Sequence, residues 1–238
     1  TKGGIILVEP NGEIVKMEGG KAKILDPASF LPIISASFSF DGQKILIARG
    51  DSRAPQISVF DAIKLDSRSL PASVISASWA PQSHEITYLE ARGEQNALVS
   101  LNLGVKNPKP KTLSLLRIES ANLYWALADQ IFLIDKGSAF ANGSVWSFGI
   151  QKNILLPVLE EKPGLTTTWN KNASLGLALF ADSDKRGGEL HLIRGDGRTM
   201  RTFNFLTLPS KCAFRGISSK EKVEGELICA IPRERNEL

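Results

Sequence analysis

One short phrase is written twice in this chain, as Ile34-Ser35-Ala36-Ser37-Phe38 and Ile75-Ser76-Ala77-Ser78-Trp79, 41 residues apart. Each copy is followed by a turn and then by a run of strand character, residues 44–49 and 85–90. A fixed period in this range marks a repeat architecture, in which no single unit can bury its own apolar face and neighbouring units must stack. The aromatic that closes the phrase recurs as Phe38, Trp79, Trp125, Trp169 and Phe214, in steps of 41, 46, 44 and 45 residues. A second marker keeps the same phase. Val59, Val99, Trp146 and His191 lie 21, 20, 21 and 22 residues beyond their aromatic, each inside another short apolar run.

Within a unit the pattern is four short strands. In the second copy they are expected at 74–79, 85–90, 97–103 and 111–116, separated by Pro81-Gln82-Ser83, Arg92-Gly93-Glu94 and the Pro108/Pro110 stretch. Runs of this length, rich in β-branched and aromatic residues and bounded by turn formers, predict strands. No stretch holds apolar residues at helical spacing over three turns, so essentially no helix is expected. Four antiparallel strands every 40–50 residues or so describe the blade of a β-propeller. The fold class expected is therefore all-β, with residues 1–238 forming one propeller domain.

The termini extend this scheme. Residues 5–9 and 13–17 read as a hairpin about Pro10-Asn11-Gly12, matching the third and fourth strands of a unit. Residues 211–214 and 226–231 match the first and second. Together they would complete a composite blade, giving five blades and hiding the edges that an open ring would expose. The alternative is a fragment of a larger propeller.

The phrase Phe38-Ser39-Phe40-Asp41-Gly42-Gln43-Lys44-Ile45-Leu46-Ile47 resembles the W-S-P-D-G-x-x-I-A-F core of bacterial TolB-like propeller repeats, relatives of the WD-repeat propellers. Trp79-Ala80-Pro81-Gln82-Ser83-His84-Glu85-Ile86 is similar, with Gln82-Ser83 in place of Asp-Gly. Trp125 and Trp169 keep the aromatic without the turn, and Phe214-Arg215-Gly216 has an expanded one. The resemblance implies an interaction platform, usually outside the bacterial cytoplasm, and brings no shared catalytic residues with it.

The hydrophobic fraction of 42% suits a soluble globular chain with a sizeable core. No apolar run approaches the length of a membrane span, and no signal segment opens the sequence. Because the chain starts at Thr1-Lys2-Gly3 without an initiator Met, an upstream segment such as a membrane anchor is expected in the native protein.

The formal charge of +4 is mild, but its distribution is not even. The turns joining first to second and third to fourth strands share one end of a blade. They are expected to carry Lys44, Lys106, Lys109, Lys111, Lys152, Lys171, Arg194, Arg198, Arg215, Lys220 and Lys222, against Asp41, Asp61, Asp66, Asp196, Glu221 and Glu224. A basic face concentrates polyanionic partners such as wall polymers, anionic lipid headgroups or nucleic acid. It equally serves as a solvated surface that keeps the domain dispersed. Nucleic acid is disfavoured, because the basic turns lack interleaved aromatics for stacking. A monomer is expected.

Cys212 and Cys229 are the two cysteines and fall at matching heights of two neighbouring strands. Opposed Cβ atoms at that spacing permit a disulfide, which would suit an oxidising compartment; two buried free thiols are the alternative. Two cysteines and the distant His84 and His191 make no zinc-type ligand set, so neither metal nor cofactor is predicted. Arg49-Gly50-Asp51 and Arg194-Gly195-Asp196 spell an adhesion tripeptide, yet both lie where hairpin turns are expected. Asn142-Gly143-Ser144 and Asn172-Ala173-Ser174 fit the glycosylation pattern, which matters only in a secretory host. No nucleophile elbow, phosphate loop or metal-binding helix motif occurs.

Three functions of different class follow. The first is a non-enzymatic, extracytoplasmic scaffold that binds a protein or polyanionic surface through one loop face. The second is a glycan-binding or glycan-hydrolysing propeller, against which stands the lack of Asp or Glu in the predicted inner strands 34–38, 74–79, 123–125 and 165–169, although loop carboxylates such as Asp26 or Glu119 remain. The third is a structural accessory module of a larger membrane-anchored protein.

Overall fold

The computed structural model describes residues 4–26, 31–135, 137, 141–170, 177–181, 189–204, 212–218 and 224–230. Among these, all regular structure is strand, and no helix is long and apolar enough to cross a membrane. The chain divides into two compact units, Thr1–Leu123 and Tyr124–Leu238.

The first unit holds three antiparallel sheets. The N-terminal sheet has the order β1 (Ile5–Val8), β2 (Ile14–Glu18), β3 (Lys21–Asp26). The next has β4 (Ile33–Phe38), β5 (Lys44–Asp51), β6 (Ala54–Asp61) and β7 (Asp66–Ser69). The third has β8 (Val74–Trp79), β9 (Glu85–Arg92), β10 (Gln95–Asn102) and β11 (Pro110–Leu116). The two four-stranded sheets meander in chain order, as a blade requires.

Alternation along β5 explains how these sheets stack. Successive side chains of a strand point to opposite faces. Ile45 and Ile47 pack with Ile14 of β2 and with Phe60, while Leu46 joins Ile57, Val59, Val74, Trp79, Ile86, Tyr88, Ala97 and Val99. The middle sheet is thus apolar on both faces, and its strands read as continuous runs. Ile14, Ile45, Ile47, Ile86, Ala97 and Val99 are fully buried.

The repeated phrase has a mechanical role. The Trp79 indole Nε1–H donates to the Ser37 carbonyl at 3.0 Å, linking β8 to β4. The Ser76 hydroxyl donates to the Ala121 carbonyl, on the connection that follows β11. Asn96, on β10, donates to the carbonyls of Ile118 and Glu119 at 2.6 and 2.8 Å and fixes that same connection.

The second unit contains β12 (Asn122–Leu127, at its border), β13 (Gln130–Asp135), β14 (Gly143–Gly149) and β15 (Ile154–Lys162) as one four-stranded sheet. A second sheet comprises β16 (Thr166–Asn170), β17 (Leu177–Ala181), β18 (Leu190–Ile193) and β19 (Thr199–Phe203). Phe132, Ile134, Val145 and Leu159 pack with Leu165 and Ile193 between these two. A two-stranded sheet of β20 (Cys212–Ser218) and β21 (Glu224–Cys229) ends the described chain.

The predicted strands of the second copy are found in place, extended by Ala91-Arg92 and by Gln95-Asn96 around the Gly93 turn. One element departs from expectation. The N-terminal sheet has three strands where the sequence reading supplied two. The added strand, β3, follows a Gly19-Gly20 turn with both glycines at positive φ, and its first four residues are exposed. Charged residues fill three of its six positions, so it lacks the apolar weight by which strands are recognised.

Candidate functional site

In the first unit four turns form a continuous row at one end of the two four-stranded sheets. The β4–β5 turn, residues 39–43, is built by Ser39, whose hydroxyl donates to Asp41 Oδ1 at 2.7 Å and accepts the Lys44 amide at 3.0 Å. Gly42 closes it at φ 72°, a conformation open to glycine without strain. The β6–β7 turn joins it through the Ala62 amide, which donates to the Gln43 carbonyl at 2.9 Å. On the other side, His84 of the β8–β9 turn places Nε2 2.9 Å from Asp41 Oδ2, and its ring lies 5.2 Å from that of Phe40. The Leu103 amide then donates to the His84 carbonyl at 2.8 Å, bringing in the β10–β11 turn.

Charge along the row is unevenly engaged. Lys44 bridges to Asp61, the last residue of β6, and both side chains are largely buried. Burial opposes the Asp61 charge, but hydrogen bonds from Lys44 and from the Lys64 and Ile63 amides outweigh it and hold the carboxyl below its usual range. Asp41 behaves alike: burial raises it, and the Ser39 hydroxyl, the Gln43 amide and His84 together bring it lower. Lys106, Lys109 and Lys111 stand exposed, as does Lys64, and no ion pair joins any of them to a carboxylate among the described residues. Asp66 is exposed at the first position of β7.

The row also displays apolar side chains. Phe40, Ile63, Leu65 and Val105 are 56, 69, 50 and 50% exposed. Leu65 does so from φ 56°, a left-handed conformation uncommon for a residue other than glycine.

The predicted basic face is thus only partly available. Lys44 is consumed by Asp61, and Arg194 by Asp196, to which its Nε donates at 2.9 Å. The Arg194 hydrogen bonds lower the Asp196 carboxyl against the effect of burial. Arg198 is exposed and 3.6 Å from Asp196, and Lys152 is exposed in the β14–β15 turn of the second unit. Lys171, Lys220, Lys222 and Glu221 lie outside the described residues, as do the side chains of Trp169, Phe214 and Arg215; Glu224 begins β21 instead of standing in a loop.

Cys212 and Cys229 face each other directly in the β20–β21 register and are joined in a disulfide, with Cα atoms 4.0 Å apart. Arg49-Gly50-Asp51 ends strand β5, paired with Gln56, Pro55 and Ala54 of β6, where a turn was expected, and Arg194-Gly195-Asp196 runs into the β18–β19 turn. Gly50 takes φ 86° and Asp51 Oδ1 accepts the Arg53 amide at 2.8 Å, whereas Asp196 holds its own Arg194. His191 is buried, with Nδ1 3.3 Å from the Thr202 hydroxyl. Ser144 of the first glycosylation pattern accepts the Glu161 amide, and Asn172-Ala173-Ser174 lies outside the described residues. Among the described residues no group of three or more His, Cys, Asp or Glu side chains gathers to hold a metal.

Sequence reasoning missed the Asp41–His84 link and the four apolar tips. The tips carried a readable signal: Phe40 stands where the TolB-like motif has proline, and Ile63-Lys64-Leu65 puts two apolar residues into a turn.

No family model matches the sequence, and no curated protein matches it. Solved structures do match. TolB from Acinetobacter baumannii superposes at TM-score 0.54 and 17% identity, over 82% of this chain and 49% of that one. The chain has a TolB-like β-propeller fold. It spans about half the length of that TolB. A chain of a nidogen/laminin complex matches the propeller at TM-score 0.52 and 10% identity, over 86% of this chain and 76% of its own. Oligogalacturonate lyase in complex with manganese matches at 0.55 and 11%, over 80% and 59%. Identities of this size carry the propeller fold alone, and propellers host unrelated functions.

Proposed function

We propose that this propeller is a non-enzymatic interaction module that works outside the cytoplasm and captures a protein or polyanionic surface through the turns at one end. The observation that carries this reading is the row of four turns knitted by Asp41, His84 and the Leu103 amide, with exposed Lys106, Lys109 and Lys111 at its margin. A rigid scaffold presenting mobile cationic side chains concentrates an anionic partner at modest energetic cost. The Cys212–Cys229 disulfide supports an oxidising compartment.

A lyase or hydrolase reading is less well supported. The strands β4, β8, β12 and β16 contain neither Asp nor Glu, and carbohydrate cleavage by carboxylate pairs needs two such groups at fixed separation.

The test is capture of partners from an envelope extract by the parent chain, by Lys106→Glu/Lys109→Glu/Lys111→Glu, and by a control reversed at the opposite end, Arg53→Glu/Arg117→Glu. Loss of capture in the first variant with retention in the control supports the loop end. Equal behaviour of both variants refutes it.

A further inference from the structure

We infer that the turn row of the first unit docks on an anionic lipid surface, with Phe40, Ile63, Leu65 and Val105 entering the headgroup region and Lys64, Lys106, Lys109 and Lys111 lying at the phosphate level. This rests on the loop-end reading above and names its partner class.

The apolar residues are spread over three turns, Ile63 and Leu65 sharing the one between β6 and β7, and each is at least half exposed. Separate tips of this kind form no groove that a peptide helix or strand would fill. A lipid headgroup layer, being fluid, conforms around them. Three of the four tips stand next to a cation in sequence: Lys64 lies between Ile63 and Leu65, and Lys106 follows Val105, while Phe40 is flanked by Ser39 and Asp41. This arrangement is the loop counterpart of an interfacial helix, in which apolar insertion and attraction to anionic lipid act together.

The carboxylates of the row are largely turned away from that role. Asp41 is engaged by Ser39 and His84, and Asp61 by Lys44. The strained Leu65 backbone is a further sign that exposure of this side chain is maintained against local preference. The hydrogen bonds that knit the turns hold the tips in one row before contact, so little ordering is needed on docking.

The test is co-sedimentation of the chain with vesicles of about three parts phosphatidylcholine to one part phosphatidylglycerol, beside vesicles of phosphatidylcholine alone. The soluble polyanion probe is poly-L-glutamate. The expected result is binding to the anionic vesicles, weakened by salt and on the order of 100-fold weaker for Lys64→Gln/Lys106→Gln/Lys109→Gln. Phe40→Ser/Ile63→Ser should weaken it on the order of 10-fold with little effect on poly-L-glutamate binding. Leu65→Gly removes an apolar tip while easing the backbone, so it should fold at least as well as the parent and still bind vesicles less. Vesicle binding that ignores the apolar substitutions overturns the insertion. Binding of poly-L-glutamate through the same lysines without vesicle binding overturns the lipid partner and leaves the loop-end reading standing. Binding to neither overturns the lipid partner and the polyanionic surface alike, and leaves the loop end to be decided by the capture experiment above.

Discussion

Trp79 donates its indole N–H to the carbonyl of Ser37, 42 residues earlier in the chain, at 3.0 Å. Both residues belong to the repeated phrase, so the second copy of the phrase is fastened to the first. The ring itself is buried in the apolar layer between the two sheets. Trp79→Phe retains most of that layer and loses the hydrogen bond, at a cost of about 1 kcal/mol. Trp79→Ala empties the site and should cost about 3–5 kcal/mol. Urea denaturation of the two variants measures both values, and near-equal losses would deny the ring its packing role.

Asn96 holds the connection between consecutive sheets by donating to two carbonyls. Asn96→Ala strands those acceptors and should destabilise by about 1–3 kcal/mol. Asn96→Asp should be worse than alanine at neutral pH, since a carboxylate cannot donate and would face two carbonyl oxygens. Thermal denaturation of the pair gives the order directly.

The phrase, its period and the second marker made the blades legible in sequence. Continuous apolar runs mark β5, β9 and β10 because both faces of these sheets are covered. The third N-terminal strand was not legible, because β3 is mostly exposed and charged at three of its six positions. The candidate site was half legible. Lysine-rich turns could be assigned to one end by counting strands, but which lysines are spent on Asp61 or left exposed depends on distances between residues far apart in the chain. The same holds for Asp41 and His84, which are 43 residues apart in sequence.

Acid should loosen the fold through Asp41, Asp61 and Asp196, each held below its usual carboxylate range in the folded chain. A lowered folded value means the stabilisation is complete above the unfolded value near pH 4 and is lost as pH falls through the folded value. The melting temperature should therefore change little on account of these groups between pH 7 and about 5, then fall. Asp61→Asn should melt lower than the parent at neutral pH and show a shallower acid decline. A parallel decline in the two proteins would exclude Asp61 from the effect.

The disulfide closes a short segment, Cys212 and Cys229 being 17 positions apart in sequence. Cross-links over loops of this size stabilise by about 3 kcal/mol, chiefly through the unfolded chain. Reduction should lower the urea midpoint accordingly. Thiol titration of protein purified without reductant should find none free, native or denatured, and two titrating thiols would remove the support for an oxidising compartment.

Lysine footprinting by acetylation and mass spectrometry, on the chain alone and on the chain bound from an envelope extract, tests the loop end as the binding surface most directly. Protection is predicted at Lys64, Lys106, Lys109 and Lys111, with exposed Lys21 and Lys23 of β3 labelled as before. Protection at Lys21 and Lys23, with the four turn lysines unchanged, would contradict it.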